Sequence, residues 1–188
     1  GDAGSGDFDA TTNQGGADIW VLKINNQGGI IWQRSYGNPN HQFTSSLTVT
    51  SDNKFVISGY QSYNGYKQPN VLLPIYAMSA EVALKIDDQG NVIWEKYPFF
   101  QAGNPGNTYF NYHILELPGH DLVKLQGSYS ASTEINTRLS ISRLNSLSGE
   151  LIPTGFKPSS EYPTKGTNTI YGVGPDAVQL LPDSTLLT

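Results

Sequence analysis

Apolar residues along this chain fall in short runs that alternate with polar ones, the period-two pattern of half-buried strands. The runs "DIWVLKI", "EVALKI" and "RLSISRL" all alternate this way, and each is followed by a short turn and a second apolar run. Set beneath one another, "KINNQGGIIW" (Lys23–Trp32), "KIDDQGNVIW" (Lys85–Trp94) and "RLNSLSGELI" (Arg143–Ile152) align without a gap. A second set follows in the same order. "LTVTSDNKFVISG" (Leu47–Gly59) matches "LELPGHDLVKLQG" (Leu115–Gly127) without a gap, and "QLLPDSTLLT" (Gln179–Thr188) matches the beginning of that pattern. Thr188 falls opposite Lys124, and Gly1 opposite Gly59 and Gly127, so the repeat units run roughly 1–58, 59–126 and 127–188. Each unit begins after the second strand of a four-strand group.

The best copy shows all four strands: "SLTVTSD", "KFVISGY", "AEVALKID" and "NVIWEKY". Four antiparallel strands in a unit of about 60 residues describe a β-propeller blade. The expected fold is therefore all-β, one propeller segment over residues 1–188, with about three repeats belonging to a larger ring. A β-sandwich with accidental self-similarity is the alternative. Two ungapped repeat columns in matching order argue against it.

Composition supports strands over helices. Only 14% of the 188 residues are charged, and 20 Gly, 11 Pro and 11 Tyr sit among many Ser, Thr and Asn, a mixture for short strands and turns. Net charge is −5 with no basic cluster, so no counterion-displacing surface for nucleic acid is expected. The absence of cysteine excludes disulfides, thiolate metal sites and thiol nucleophiles. No uninterrupted apolar stretch reaches the ~18 residues of a transmembrane helix. The opening "GDAGSGDFDA" carries no signal-peptide pattern and reads as the middle of something processed or excised.

"GGADIWVLKINNQGGIIWQRSYGN", followed by "TSDNKFVISGY", resembles the propeller repeats of secreted proteins and surface lipoproteins of Bacteroidota-type bacteria. Asp18, Trp20, Lys23, Gly28, Trp32, Tyr36 and Gly37 fit the first part of that repeat, and Thr50, Asp52, Phe55 and Gly59 the second. The resemblance covers most of residues 15–60 and 80–96 and weakens from about Tyr97 onward. It implies a propeller fold and an extracytoplasmic place, secreted or at the outer-membrane surface. It implies no single activity and brings no catalytic residues. Similar Asp- and Trp-bearing hairpins occur in propellers that bind pyrroloquinoline quinone, but nothing here identifies the separate ligands that cofactor needs. No cofactor is expected.

Each chemical motif has a structural reading beside it. "DDQGN" offers adjacent carboxylates, yet the matching loops are "NNQGG" and "NSLSG", so the acids vanish between copies and a calcium cage is not expected. The retained positions, Gly28 with Gly90 and the column Gly29, Asn91 and Gly149, are those that tolerate the positive φ of a tight hairpin. Asp2, Asp7 and Asp9 lie in a Gly-rich loop whose spacing fits no metal cage. His41, His113 and His120 occupy different elements, and "GSYS" and "SLSG" are not nucleophile elbows. Glu81, Glu116, Asp121, Glu134 and Glu161 are the carboxylates from which a glycosidase pair would have to come. Trp32 and Trp94 share a repeat column and are expected to pack between blades; Trp20 has no Trp counterpart.

Loop lengths point to where function would sit. Nine positions separate Lys23 from Trp32, Lys85 from Trp94 and Arg143 from Ile152, and ten separate Val49 from Gly59 and Leu117 from Gly127. The other connections vary, from 17 to 29 positions for Trp32–Val49, Trp94–Leu117 and Ile152–Leu181. In an up-and-down blade alternate connections emerge on one face, so the variable loops share a face, the usual binding face of such scaffolds. That face is aromatic: Tyr63 and Tyr66 in one loop, Phe99, Phe100, Tyr109 and Phe110 in the next, are the candidate ligand-binding residues.

The sequence thus points to a non-catalytic binding or scaffolding module at a bacterial cell surface. It would recognise a partner protein or glycan, with further blades or another chain covering its open edges. A carbohydrate-active enzyme, a glycoside hydrolase or lyase-like propeller with carboxylates on the same face, is the alternative.

Overall fold

The computed structural model describes residues 2–3, 13–62, 79–96, 107–130, 136–153, 179–180 and 186–187, with side chains for 13–61, 81–96, 113–125 and 142–153. Every regular element among them is a β-strand. In chain order these are β1 (Asp2–Ala3), β2 (Asp18–Ile24), β3 (Ile30–Tyr36), β4 (His41–Val49), β5 (Phe55–Ser62), β6 (Ser79–Ile86) and β7 (Val92–Lys96). There follow β8 (Asn107–Glu116), β9 (Leu122–Ser130), β10 (Asn136–Leu144), β11 (Leu151–Ile152), β12 (Gln179–Leu180) and β13 (Leu186–Leu187). They form antiparallel sheets in the orders β1-β2-β3, β4-β5-β6-β7, β8-β9-β10-β11 and β12-β13. The expected four-strand repeat is present twice in full, and the fold is all-β.

The middle sheet is covered on both faces. Val56 and Ile57 are neighbours in β5, so their side chains point to opposite faces, yet both are 0% exposed. Ile57, Val82, Leu84 and Ile86 join Ile19 and Tyr36 of the first sheet in one apolar cluster, with Val21, Trp32 and Phe55 packed against it. Val56, Ala83 and Trp94 join Ile114, Leu122 and Leu144 of the third sheet in another. Burial on both faces accounts for the adjacent apolar residues Phe55–Ile57 in β5 and Val82–Leu84 in β6, where a half-buried strand would place a polar one. Each Leu or Ile so buried stabilises by roughly 1.5–3 kcal/mol relative to exposure.

The short hairpins close in one way. In the turns at 25–29, 50–54, 87–91 and 117–121 the first N–H bonds the fifth carbonyl and the fourth N–H returns to the first carbonyl. The fourth residue has positive φ throughout: Gly28 (82°), Asn53 (57°), Gly90 (81°) and His120 (72°). At 25–29, 50–54 and 87–91 that is a type I turn followed by a left-handed residue; at 117–121 the third residue, Gly119, is also at positive φ (100°), which makes the turn type II. In the first two copies of the Lys–Trp hairpin a register shift follows, leaving Lys23 opposite Trp32 and Lys85 opposite Trp94. The third copy uses its nine positions differently. Arg143 still faces Ile152, but the pairing has no shift, and Gly149 N–H closes a six-residue turn onto the Asn145 carbonyl. Gly149, at φ 69°, therefore takes the left-handed role of Gly28 and Gly90. The ungapped alignment, which set it beside Gly29 and Asn91, is corrected by one position.

A second correction concerns the first hairpin of each sheet. Between turn and β-bulge, β4–β5 has four residue pairs, from Val49↔Phe55 to Ser46↔Ser58. The corresponding stretch of β8–β9 has five, from Glu116↔Leu122 to Tyr112↔Gln126. Counted from the turn, Ile57 corresponds to Lys124, not to Leu125. Counted from the bulge, Gly59 still corresponds to Gly127. Glycine is required at 59 because a Cβ there would stand 1.9 Å from the Phe43 carbonyl oxygen on the bulged neighbour. The sequence alignment kept the glycines in step and so lost the turn register.

Adjacent sheets are joined at the hairpin end by a recurring device. Trp32 Nε1 donates to the Asp88 carbonyl at 2.9 Å, and Lys23 Nζ donates to the same oxygen at 3.2 Å. One sheet further on, Trp94 Nε1 and Lys85 Nζ donate to the Ser146 carbonyl at 3.0 and 3.3 Å. Asp88 and Ser146 are each the second residue of the next sheet's turn. The Trp ring also covers that turn's left-handed glycine. A Cβ on Gly90 would stand 3.3 Å from Trp32 Cη2, and one on Gly149 2.8 Å from Trp94 Cε3. Tyr36 strengthens the first junction by donating from its hydroxyl to the Gly90 carbonyl at 2.6 Å. Burial pushes that phenol up to about 12, so it stays a neutral donor. The expectation that Trp32 and Trp94 pack between repeats is met.

Candidate functional site

Three hairpin turns, 50–54, 117–121 and 145–150, surround a cleft of about 460 Å³ between the second and third sheets. Ser51 and Asp52 line one wall, Glu116, His120 and Asp121 another, and Asn145, Ser146 and Leu147 the third. Beneath it lies Lys85, 1% exposed, whose ammonium reaches Asp52 Oδ2 at 3.3 Å and Ser146 Oγ at 2.9 Å. A lysine this deep needs its charge met, and the Asp52 carboxylate and two oxygens of Ser146 meet it.

Asp52 is held as the anion. Burial pushes its carboxyl up, but hydrogen bonds from Thr50, Lys54 and Lys85 and the Lys85 charge outweigh that and hold it well below the usual carboxylate range. Across the cleft, Glu116 accepts from Ser51 N–H at 2.6 Å and from Ser51 Oγ at 3.0 Å. His120 Nδ1 lies 2.8 Å from the same hydroxyl and 3.5 Å from Glu116 Oε1. The Ser51 hydroxyl has one proton with both Glu116 Oε1 and His120 Nδ1 within reach, and the imidazole tautomer sets the direction of the Ser–His bond. Asp121 pairs with Arg143.

Sequence reasoning named Glu116 and Asp121 among five separate carboxylates, and the structure brings both to this cleft. It places the cleft at the hairpin end, opposite the connections expected to carry function. Glu81 lies elsewhere, its carboxylate 2.7 Å from Lys124 Nζ between the second and third sheets. Ser51, Asp52 and Lys85 were not anticipated as a group. Asp52 belonged to a repeat motif, but nothing local links it to Lys85, 33 positions away. His41 accepts from Ala17 N–H at 2.9 Å, a structural role.

The expected aromatic site falls mostly outside the described residues. Tyr63, Tyr66, Phe99 and Phe100 lie there, as do Glu134 and Glu161. The backbones of Tyr109 and Phe110 lie within strand β8, opposite Ser128 and Gly127, and their side chains are outside the description. Near the described connection at that end, Asn38 and Gln42 form a buried amide network with Gln61. Asn38 Nδ2 donates to Gln61 Oε1 at 2.7 Å, and Gln42 Nε2 donates to Asn38 Oδ1 at 2.7 Å. The network ties the β3–β4 connection to β5 and gives that end a rigid floor.

No cluster of three or more potential metal-binding side chains occurs among the described residues, and no helix among them is long and apolar enough to cross a membrane. No protein-family model matches the chain, and comparison with curated proteins finds no significant relative.

Proposed function

We propose that this chain is a non-catalytic β-propeller segment that binds a partner protein or glycan at a bacterial cell surface, outside the cytoplasm. The observation that carries this reading is the commitment of the cleft's carboxylates to internal partners. Asp52 is engaged by two lysines, Glu116 by Ser51 and Asp121 by Arg143. The Glu116–Ser51 contact joins two sheets, and the Asp52 and Asp121 pairs brace turns within one. Recognition then belongs to the longer connections, with Tyr63, Tyr66, Phe99, Phe100, Tyr109 and Phe110 as its aromatic contacts. The repeat resemblance to secreted proteins and surface lipoproteins of Bacteroidota-type bacteria supports the location.

The enzyme reading draws on one observation, that Asp52, Glu116 and Asp121 line a single cleft. A glycosidase pair needs one carboxyl held protonated near neutrality beside an ionised one, and Asp52, held as the anion, suits only the ionised role. The two readings separate on a glycan array and a panel of chromogenic glycosides, each run with the chain and with Glu116→Gln. Glycan capture that survives Glu116→Gln but is lost when Tyr63, Tyr66, Phe99 and Phe100 are changed to Ala supports binding. Glycoside turnover abolished by Glu116→Gln overturns it.

A further inference from the structure

The first sheet carries an apolar face that its counterpart in the second sheet buries. Counting from their matching turns, Leu22 corresponds to Leu84 and Ile24 to Ile86. Leu84 and Ile86 are 0% exposed beneath the first sheet, whereas Leu22 and Ile24 are 40% and 54% exposed. Ile30, paired with Ile24, extends the same face and is also exposed. The turn beside it repeats the pattern. Gly28 has the same left-handed backbone as Gly90 and Gly149, but a Cβ on Gly28 would meet nothing within 4 Å, where the other two lie under a Trp ring. Asn26 holds the second turn position, where Asp88 and Ser146 offer their carbonyls to a Lys–Trp pair.

We propose that this face and the 25–29 turn are a docking surface for one further four-stranded sheet of the same repeat, presenting a lysine and a cross-strand tryptophan to the Asn26 carbonyl. The occupant follows from the two junctions already described. Both bring a Lys and a Trp onto the second turn carbonyl and a ring onto the left-handed glycine; the first also packs apolar side chains onto Leu84 and Ile86, and the second onto Leu144, with Ser142 at the other position. A second copy of this chain offering its third sheet is a poorer match, because Arg143 faces Ile152 there and no indole is supplied. The partner is thus defined by chemistry: a sheet with an aligned ammonium and indole donor. This rests on the propeller part of the proposed function and is independent of what the loops bind.

The test extends the full chain by a copy of residues 41–126 placed directly before Gly1. That phase continues the repeat, since Asp2 pairs with Ile19 as Tyr60 pairs with Glu81. Amide hydrogen exchange is then followed at the 25–29 turn, with the 87–91 turn as the internal record of folding. The expected result is at least about tenfold slower exchange at 25–29 in the extended chain. Most of that gain should be lost when the Trp94→Ala change is made in the copied segment alone. Equal exchange at 25–29 in parent and extended chains, with 87–91 still protected, overturns the proposal. So does concentration-dependent protection of 25–29 in the parent, which would make a second copy the occupant. Loss of glycan or protein capture with the exchange result intact would strike the binding reading and leave this one standing.

Discussion

Trp94 and Ser146 are 52 positions apart in the chain and meet across a sheet junction, indole N–H to backbone carbonyl, at 3.0 Å. The bond lies beside a ring that is itself buried against the neighbouring glycine, so it has both a polar and an apolar part. The parts can be separated. Trp94→Phe keeps much of the ring and removes the donor, and is expected to cost about 1 kcal/mol. Trp94→Ala removes both and should cost about 3–5 kcal/mol. Urea unfolding of the two variants measures the split; equal costs would show that the bond, and not the ring, holds the junction.

Gly28 and Gly149 share a backbone conformation and differ in surroundings, which makes them a matched pair. Alanine at either position meets left-handed strain of about 1–2 kcal/mol. At Gly149 the new methyl also stands 2.8 Å from Trp94 Cε3, and the ring must move. Gly149→Ala should therefore lower the unfolding midpoint clearly more than Gly28→Ala, and should also shift Trp fluorescence. Equal midpoints would mean that the Trp ring yields without loss.

Glu81 and Lys124 form a partly buried ion pair where the first junction is apolar: their counterparts, counted from the turns, are Ile19 and Ile57. Lys124→Ile alone leaves a carboxylate without its cation and should destabilise. Adding Glu81→Ile should recover most of the loss, because a well-packed apolar pair often replaces a buried ion pair without penalty. A double-mutant cycle in denaturant reads the coupling. Additive losses would show that the two side chains do not depend on each other.

Asp52 has a depressed native value, so the stability it contributes is present above the ordinary carboxylate value of about 4 and lost as pH falls toward the native one. Asp52→Asn should be less stable than the parent at pH 7, and the gap should narrow on acidification below about pH 4. Denaturation midpoints at pH 7, 5 and 3 test this. A gap that stays constant across the series would show that the carboxylate acts by shape and hydrogen bonding rather than by charge.

Much of the architecture was legible because the signals were local. Alternation in "EVALKI" marked a strand, Gly90 and Asn91 marked a turn, and Trp32 above Trp94 marked a shared contact. What escaped depended on relations that a linear alignment cannot hold. Gly149 changed roles because the third copy enlarged its turn instead of shifting register, and both solutions fill the same nine positions. The extra residue pair in β8–β9 was hidden because one residue added on each side of a hairpin leaves its turn and its glycine both recognisable. The cleft was less legible still. Ser51 and His120 meet from turns 69 positions apart, and neither turn marks its neighbour. His120 was hard to foresee for another reason: it occupies a left-handed position where Gly or Asn stands in the sibling turns.

The Lys–Trp junction has a handedness of role. One side supplies donors and a ring, the other a carbonyl and a bare glycine, so the two surfaces are complementary rather than self-matching. A two-fold pairing would set donor against donor and satisfy neither. Contacts of this heterologous kind pass head to tail, and their propagation ends only when the last surface meets the first or the series runs on as a filament. Symmetry alone thus narrows the assemblies open to this repeat to closed rings and open arrays.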